Sequence, residues 1–246
     1  MNPRGFSRQA APLTTALIMS PITANLQAVR QRIESAARAA GRAPQSVALV
    51  AVSKTFAAAA VREAAAAGQR DFGENYVQEG VEKIHTLADL ALVWHYVGPI
   101  QSNKTRAIAE HFDWVHSVER AKIAARLSEA RDPARNELQV CIQVNVSGEA
   151  TKSGAAPEEV AALARQVSDL PRLKLRGLMA LPEPTPDTLL QRRRFAQLRE
   201  LRDRLNREGF AMDTLSMGMS ADLEAAIAEG ATMVRVGTAI FGERKP

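Results

Sequence analysis

Lys54 stands just beyond the apolar run Val47-Ala48-Leu49-Val50-Ala51-Val52, and its place suggests carbonyl chemistry. Side chains alternate along a strand, so if Lys54 points inward, Val52, Val50 and Ala48 do too. A lysine at the mouth of a dry cavity loses hydration, which disfavours its ammonium and frees the amine to attack a carbonyl. The plainer alternative is a strand-end lysine reaching into solvent. The run Ser216-Met217-Gly218-Met219-Ser220 suggests an anion site. Glycine lets a backbone approach a ligand, hydroxyls flank it, and the helix expected to follow would present free amides. Gly237-Thr238 repeats this equipment. Asp222 and Glu224 argue for simple capping instead, since they would use the same helix dipole. Arg235 lies between Val234 and Val236. If both valines pack outward, the guanidinium points inward and needs an acceptor: a phosphate, a pyridine nitrogen or an internal carboxylate.

Other reactive types carry less. His85, His95, His111 and His116 show no metal-ligand spacing with one another or with an acid cluster, and no serine–histidine–aspartate pattern stands out. Cys141 is the single cysteine and sits in an apolar run, as a buried core residue would. Its solitude excludes an intrachain disulfide and suits the reducing cytoplasm, the expected location. Arg192, Arg193 and Arg194 fall in a helical pattern opposite Leu190, Leu198, Leu201 and Leu205, and read as a solvated face.

Elements able to position these residues follow from periodicity. Ile22, Leu26, Val29 and Ile33 recur on one helical face over residues 21–40, with Pro21 suited to the start and Gly41 to the stop. Apolar runs then predict strands at 47–52, 70–73, 92–97, 114–118, 138–146, 173–180, 214–217 and 233–236, with helical stretches between them. Such alternation predicts a parallel α/β sheet, and its length suits a (β/α)8 TIM barrel with an extra N-terminal helix. An open doubly wound sheet is the alternative, but Ser53-Lys54-Thr55-Phe56 lacks its glycine cradle. In a barrel, function sits at the carboxyl ends of the strands, and phosphate is often bound after strands seven and eight. Lys54, the 216–220 run and Arg235 all fall there.

Bulk properties agree with one soluble domain over residues 19–246. The 246 residues carry a net charge of +5, with 46% hydrophobic and only 4% aromatic side chains, so aliphatic residues must build the core. Neither nucleic acid nor membrane is an expected partner, since no binding motif or spanning run occurs. Residues 1–18 have no regular period and read as a disordered extension. A monomer is expected.

The segments Val50-Ala51-Val52-Ser53-Lys54, Phe72-Gly73-Glu74-Asn75-Tyr76-Val77-Gln78-Glu79, Gly98-Pro99-Ile100-Gln101-Ser102-Asn103-Lys104, Gly177-Leu178-Met179-Ala180, Ser216-Met217-Gly218-Met219-Ser220 and Val234-Arg235-Val236-Gly237-Thr238 together resemble the pyridoxal 5′-phosphate homeostasis protein family. That barrel is similar to the N-terminal domain of alanine racemases. The match spans nearly everything after residue 20, and no matched motif residue is replaced. The resemblance implies pyridoxal 5′-phosphate held as a Schiff base on Lys54. It implies phosphate contacts from Ser216, Ser220, Gly237 and Thr238, with Arg235 close by and Gly218 in the same cofactor-binding set. Asn75, Asn145 and Met179 would line the pocket.

Two functions fit this resemblance: a carrier that buffers the cofactor and delivers it to apo-enzymes, or a racemase or decarboxylase. The related enzymes use a further β domain to close the site and supply another acid or base. No such domain is expected after the 241–242 segment. An open site controls carbanion chemistry poorly, which favours the carrier.

Overall fold

Strands buried on both faces must be apolar throughout, and the aliphatic runs of this chain form such strands. The structure, a computed structural model, describes residues 20–147 and 153–243. The expected disorder of residues 1–18 lies outside the described residues. Helix α1 (Pro21–Ala39) precedes strand β1 (Ala48–Val52). Then follow α2 (Ala58–Ala66), β2 (Asp71–Glu74), α3 (Val77–Thr86), β3 (Val93–Tyr96), α4 (Thr105–His111) and β4 (Trp114–Val118). The second half adds α5 (Ala121–Ala130), β5 (Leu138–Gln143), α6 (Val160–Ser168), β6 (Leu173–Met179) and α7 (Thr188–Arg207). It ends with β7 (Thr214–Ser216), α8 (Leu223–Ala228), β8 (Met233–Val236) and α9 (Thr238–Phe241). All eight strands are parallel and close in sequence order, β8 pairing with β1. The expected barrel is therefore the fold, and the open sheet is excluded.

Helix α1 forms as its pattern requires. The Ser20 hydroxyl accepts from the Thr23 amide, Pro21 opens the first turn, and Leu26, Val29, Ile33 and Ala37 are buried. This helix covers the closing seam. It packs on α8 and α9, and the Asn25 carboxamide donates to the Ile240 carbonyl at 3.0 Å. Helix α7 turns Gln191, Phe195, Leu198, Leu201 and Leu205 inward. Its arginine run faces outward, where Arg192 and Arg199 both bond Glu229. Among the described residues no helix is long and apolar enough to cross a membrane.

Strand boundaries differ from expectation mainly at β5, which stops at Gln143 rather than running to 146. Beyond it the partner is a returning loop: Ala155 donates to the Gln143 carbonyl, and Asn145 donates to the Ala155 carbonyl. Periodicity cannot reveal this local pairing.

The main core lies between barrel and helices, and it takes in Leu49, Ala51, Val234 and Val236. The barrel interior is different. Trp114, Cys141 and Met179 pack together there, with Val93 and Met233 beside them. Alongside them runs a polar chain. Asp71 Oδ1 lies 3.1 Å from His95 Nε2, His95 Nδ1 lies 2.9 Å from His116 Nε2, and His116 Nδ1 lies 2.7 Å from Ser216 Oγ. Arg235 then donates to Ser216 Oγ at 2.7 Å.

Burial, reinforced by His95 and Arg235, holds the His116 pKa well below the ordinary histidine value. The unfolded chain titrates near the ordinary value of about 6.5. The stability this residue contributes as a neutral group is thus fully present above that pH and is lost as pH falls below it. Urea denaturation should show stability declining between pH 7.5 and pH 5.5, by at most about 1.4 kcal/mol per pH unit for this group. His116→Gln should flatten that slope. An unchanged slope in the variant would assign the dependence to another group.

Candidate functional site

A cavity of about 320 Å³ opens at the carboxyl ends of the strands, near the lower end of the roughly 300–1,000 Å³ typical of small-molecule sites. Lys54, Asn75, Ser220, Arg235, Gly237 and Thr238 all line it. Sequence spacing separates these residues widely. The closed barrel brings them together, since β1 and β8 are neighbours and Val50 pairs with Arg235.

Lys54 projects from a turn that is held from behind. The Ser53 hydroxyl donates to Glu74 Oε1 at 2.6 Å. Lys83 of α3 donates to the Ser53 carbonyl and to Glu74, both at 2.7 Å, and to Glu79 Oε1 at 2.5 Å. Glu79 also accepts from the Thr55 amide at 2.6 Å. Thr55 has a φ of 69°, an uncommon conformation for a β-branched residue that costs on the order of 1–3 kcal/mol. The ion cluster holds it there. Burial pushes the Glu74 pKa up, while the Lys83 ammonium and the hydrogen bonds of Lys83 and Ser53 pull it back. Breaking such a buried pair on one side costs roughly 3–5 kcal/mol, so the turn is firmly placed.

Arg235 enters the barrel as its flanking valines require. It is only 5% exposed. Burial pushes its pKa down to about 10, and Asp222 and Cys141 act in the opposite direction, so it remains a cation at neutral pH. Its direct partners are the Ser216 hydroxyl and the Ala180 carbonyl, at 2.7 and 2.9 Å. Ser216 is therefore placed differently from the expectation. It is fully buried, is not among the residues lining the cavity, and is held between Arg235 and His116. A hydroxyl two residues from a glycine reads as an anion donor until the facing strands are known.

The remaining cup is accessible. Among the described residues, the Ser220 and Thr238 hydroxyls and the Ser220 and Ala221 amides make no hydrogen bond to protein. Gly218 has a φ of 96°, and its carbonyl accepts from the Arg235 amide at 2.9 Å. A β-carbon there would sit 2.6 Å from that of Ala226, so glycine is required on both counts. Asp222 takes the Met219 amide at 2.6 Å, which leaves the Ser220 and Ala221 amides to the cavity. Asn75 presents a buried Oδ1 with no partner. Its backbone is clamped: the Tyr96 hydroxyl donates to the Asn75 carbonyl at 3.2 Å, and a β-carbon at Gly98 would lie 2.3 Å from that oxygen. A partnerless buried acceptor, unengaged donors and a lysine around one cavity fit a small phosphorylated carbonyl compound.

Asn145 and Met179 are not among the cavity-lining residues. Met179 packs inside the barrel against Trp114 and Cys141. Asn145 Oδ1 accepts from the Ser147 amide at 3.2 Å, and the residue lines a separate groove with Pro157 and Arg204. Sequence reading missed the Glu74–Lys83–Glu79 cluster and the Asp71–His95–His116 chain. Strand alternation offered a signal for the second, since one inward parity carries His95 in β3 and His116 in β4. For the first, the four-residue spacing of Glu79 and Lys83 offered only a helix pair, with nothing local to announce Glu74 or the burial.

The sequence matches the alanine racemase N-terminal domain family over residues 24–245. It is 64% identical over 226 residues to the pyridoxal phosphate homeostasis protein of Pseudomonas aeruginosa, covering 92% of this chain and 97% of the relative. It is 51% identical over 229 residues to the Escherichia coli protein of the same name, covering 92% of this chain and 98% of that one. The structure of PipY from Synechococcus elongatus with pyridoxal phosphate bound superposes with a TM-score of 0.80 at 40% identity, covering 90% of this chain and all of that one. Alanine racemase from Corynebacterium glutamicum shares the fold, with a TM-score of 0.69 at 17% identity over 93% of this chain and 62% of that one. This chain belongs to the alanine racemase N-terminal domain family and, within it, to the pyridoxal phosphate homeostasis proteins.

Proposed function

We propose that this protein binds pyridoxal 5′-phosphate, holds its aldehyde carbon as a Schiff base on Lys54, and acts as an intracellular buffer and donor of the cofactor. The observation that carries this reading is the convergence of Lys54, the partnerless Asn75 Oδ1, and the donors of Ser220 and Thr238 on one cavity beside the charged Arg235. The bound cofactor supplies an electrophilic carbon and an electron-withdrawing ring. Lys54 supplies the amine, from a turn fixed by Glu79 and Lys83. Ser220, Ala221, Gly237 and Thr238 form the phosphate cup. Asn75 Oδ1 can accept a proton-bearing group of the ligand.

The same pocket supports the carrier over an enzyme. Lys54 and Arg235 are the ionisable side chains among the described residues that line it. Racemisation through two bases needs an acid or base on each face of the substrate. The Tyr96 hydroxyl is turned away to the Asn75 and Pro99 carbonyls, and burial pushes its pKa up to about 12. Tyr76 is half exposed on the surface. Apo-forms of cofactor-dependent enzymes are the proposed recipients.

Purified protein should absorb in the visible with a band that borohydride bleaches, and Lys54→Ala should lose it. Survival of the band in that variant would move the attachment to another lysine. Pyridoxal without its phosphate should bind far more weakly, by about 10- to 100-fold for each charge-assisted hydrogen bond it cannot make. Equal titration curves for the two compounds would remove the cup from the binding site. Alanine racemisation should fall far below the ~10 s⁻¹ of ordinary enzymes, while transfer of cofactor to an apo-enzyme should be measurable. Racemase turnover at ordinary rates, abolished by Lys54→Ala, would replace the carrier with an enzyme.

A further inference from the structure

We infer that Asp71, His95 and His116 are positioning residues for the cofactor pocket: they form a hydrogen-bond chain of fixed polarity that runs through the barrel from the Asp71 carboxylate to the Arg235 guanidinium. Four hydrogen bonds make the chain, at 3.1, 2.9, 2.7 and 2.7 Å. His95, His116 and Ser216 are fully buried, whereas the Asp71 side chain is 35% exposed at the opposite end of the barrel from the cavity.

Donor and acceptor counting fixes the direction. An ionised carboxylate only accepts, and a guanidinium only donates. Asp71 therefore takes a proton-bearing His95 Nε2. Neutral His95 then offers Nδ1 as an acceptor, so His116 must carry its proton on Nε2. His116 Nδ1 accepts in turn, and the Ser216 hydroxyl donates to it. The Ser216 lone pairs remain for Arg235. Every buried group is satisfied, and each histidine is a neutral Nε2–H tautomer. Reversing the chain would make His95 a cation and turn the His116 proton towards Ser216. The Ser216 proton would then lose its acceptor, a costly state in a buried site.

The groups facing the chain are Asp71 from β2, His95 from β3, His116 from β4 and Arg235 from β8, with Asp222 and Cys141 near the guanidinium. The anion at the far end sets both tautomers. Ser216 thus stays an acceptor towards Arg235, and with the Ala180 carbonyl it fixes how the guanidinium meets the cavity. The effect on bound pyridoxal phosphate rests on the function proposed above. The tautomers do not.

The test is long-range proton–nitrogen correlation NMR on protein labelled with nitrogen-15 in histidine, run without cofactor. Only four histidines need assignment, by His→Gln variants. Two buried Nε2–H tautomers are expected near neutral pH. Asp71→Asn, whose carboxamide can donate as well as accept, should let both tautomers change, including that of His116, which Asp71 does not touch. In the same variant pyridoxal phosphate should bind about five- to tenfold more weakly, as for one modest hydrogen bond, with a shifted visible maximum. His85→Gln, on the outer surface, should do neither. Nδ1–H tautomers in the unmodified protein would overturn the polarity, whether or not the variant folds. Tautomers, affinity and spectrum all indifferent to Asp71→Asn would overturn the positioning role. Failure of the unmodified protein to bind the cofactor would refute the proposed function and leave the tautomer result standing.

Discussion

A guanidinium inside a β-barrel is the constraint on which the rest of the interior depends. A charge taken out of water loses several kcal/mol of solvation, and only well-placed acceptors restore it. TIM barrels usually fill this space with layers of branched aliphatic side chains. Here one strip of the interior carries Asp71, His95, His116 and Ser216 instead, and Trp114, Cys141 and Met179 form an apolar patch. Burial holds the His116 pKa well below the ordinary histidine value in such surroundings. The histidines serve as neutral dipoles that connect a buried cation to a carboxylate that water can reach.

A second charged group works from the other side of the strands. Glu74, Lys83 and Glu79 lie between the barrel and α3, and they grip the backbone of Ser53 and Thr55. One polar system is inside the barrel and one outside. Their ends, Arg235 and Lys54, meet at the same cavity because β8 and β1 are neighbours. Closure of the barrel therefore assembles the cavity as well as burying strand edges. Helix α1 secures it, with Arg32 bonding both Glu224 and the Ser220 carbonyl beside the cup.

Much of this was legible in the sequence, for physical reasons. Period-two alternation directs Arg235 inward once Val234 and Val236 are assigned to the outer core. The end of an apolar run locates Lys54 at the mouth. Glycine at 218 allows a close backbone approach, and a β-carbon there would sit 2.6 Å from that of Ala226. What could not be read depends on facing partners. Ser216 and Ser220 look alike in sequence, yet one is locked under Arg235 and the other lines the cavity. Met179 ends β6 and Asn145 follows β5, both at the correct end, but register and a returning loop at Ala155 direct them elsewhere. Lys83 gave no sign of being buried, because a lysine in an amphipathic helix is usually solvated.

A carrier is limited by release as much as by capture. With association at a typical ~10⁶ M⁻¹s⁻¹, cargo that must leave within about a second can be held no tighter than about micromolar. That corresponds to roughly 8 kcal/mol, which a handful of charge-assisted hydrogen bonds and one reversible covalent link would easily exceed. On the reading proposed here, a closed pocket would therefore defeat delivery. The cavity draws its binding groups from few places. Its donors come from a short cup at Ser220 and Thr238, its lysine from a turn at the rim, and half-exposed Leu181 lies along its wall. Rigidity is invested in Arg235 and the Ser53–Thr55 backbone, which fix geometry. On the same reading, preorganised binding groups allow capture without slow rearrangement, and a Schiff base on Lys54 at the rim would stay within reach of a competing amine.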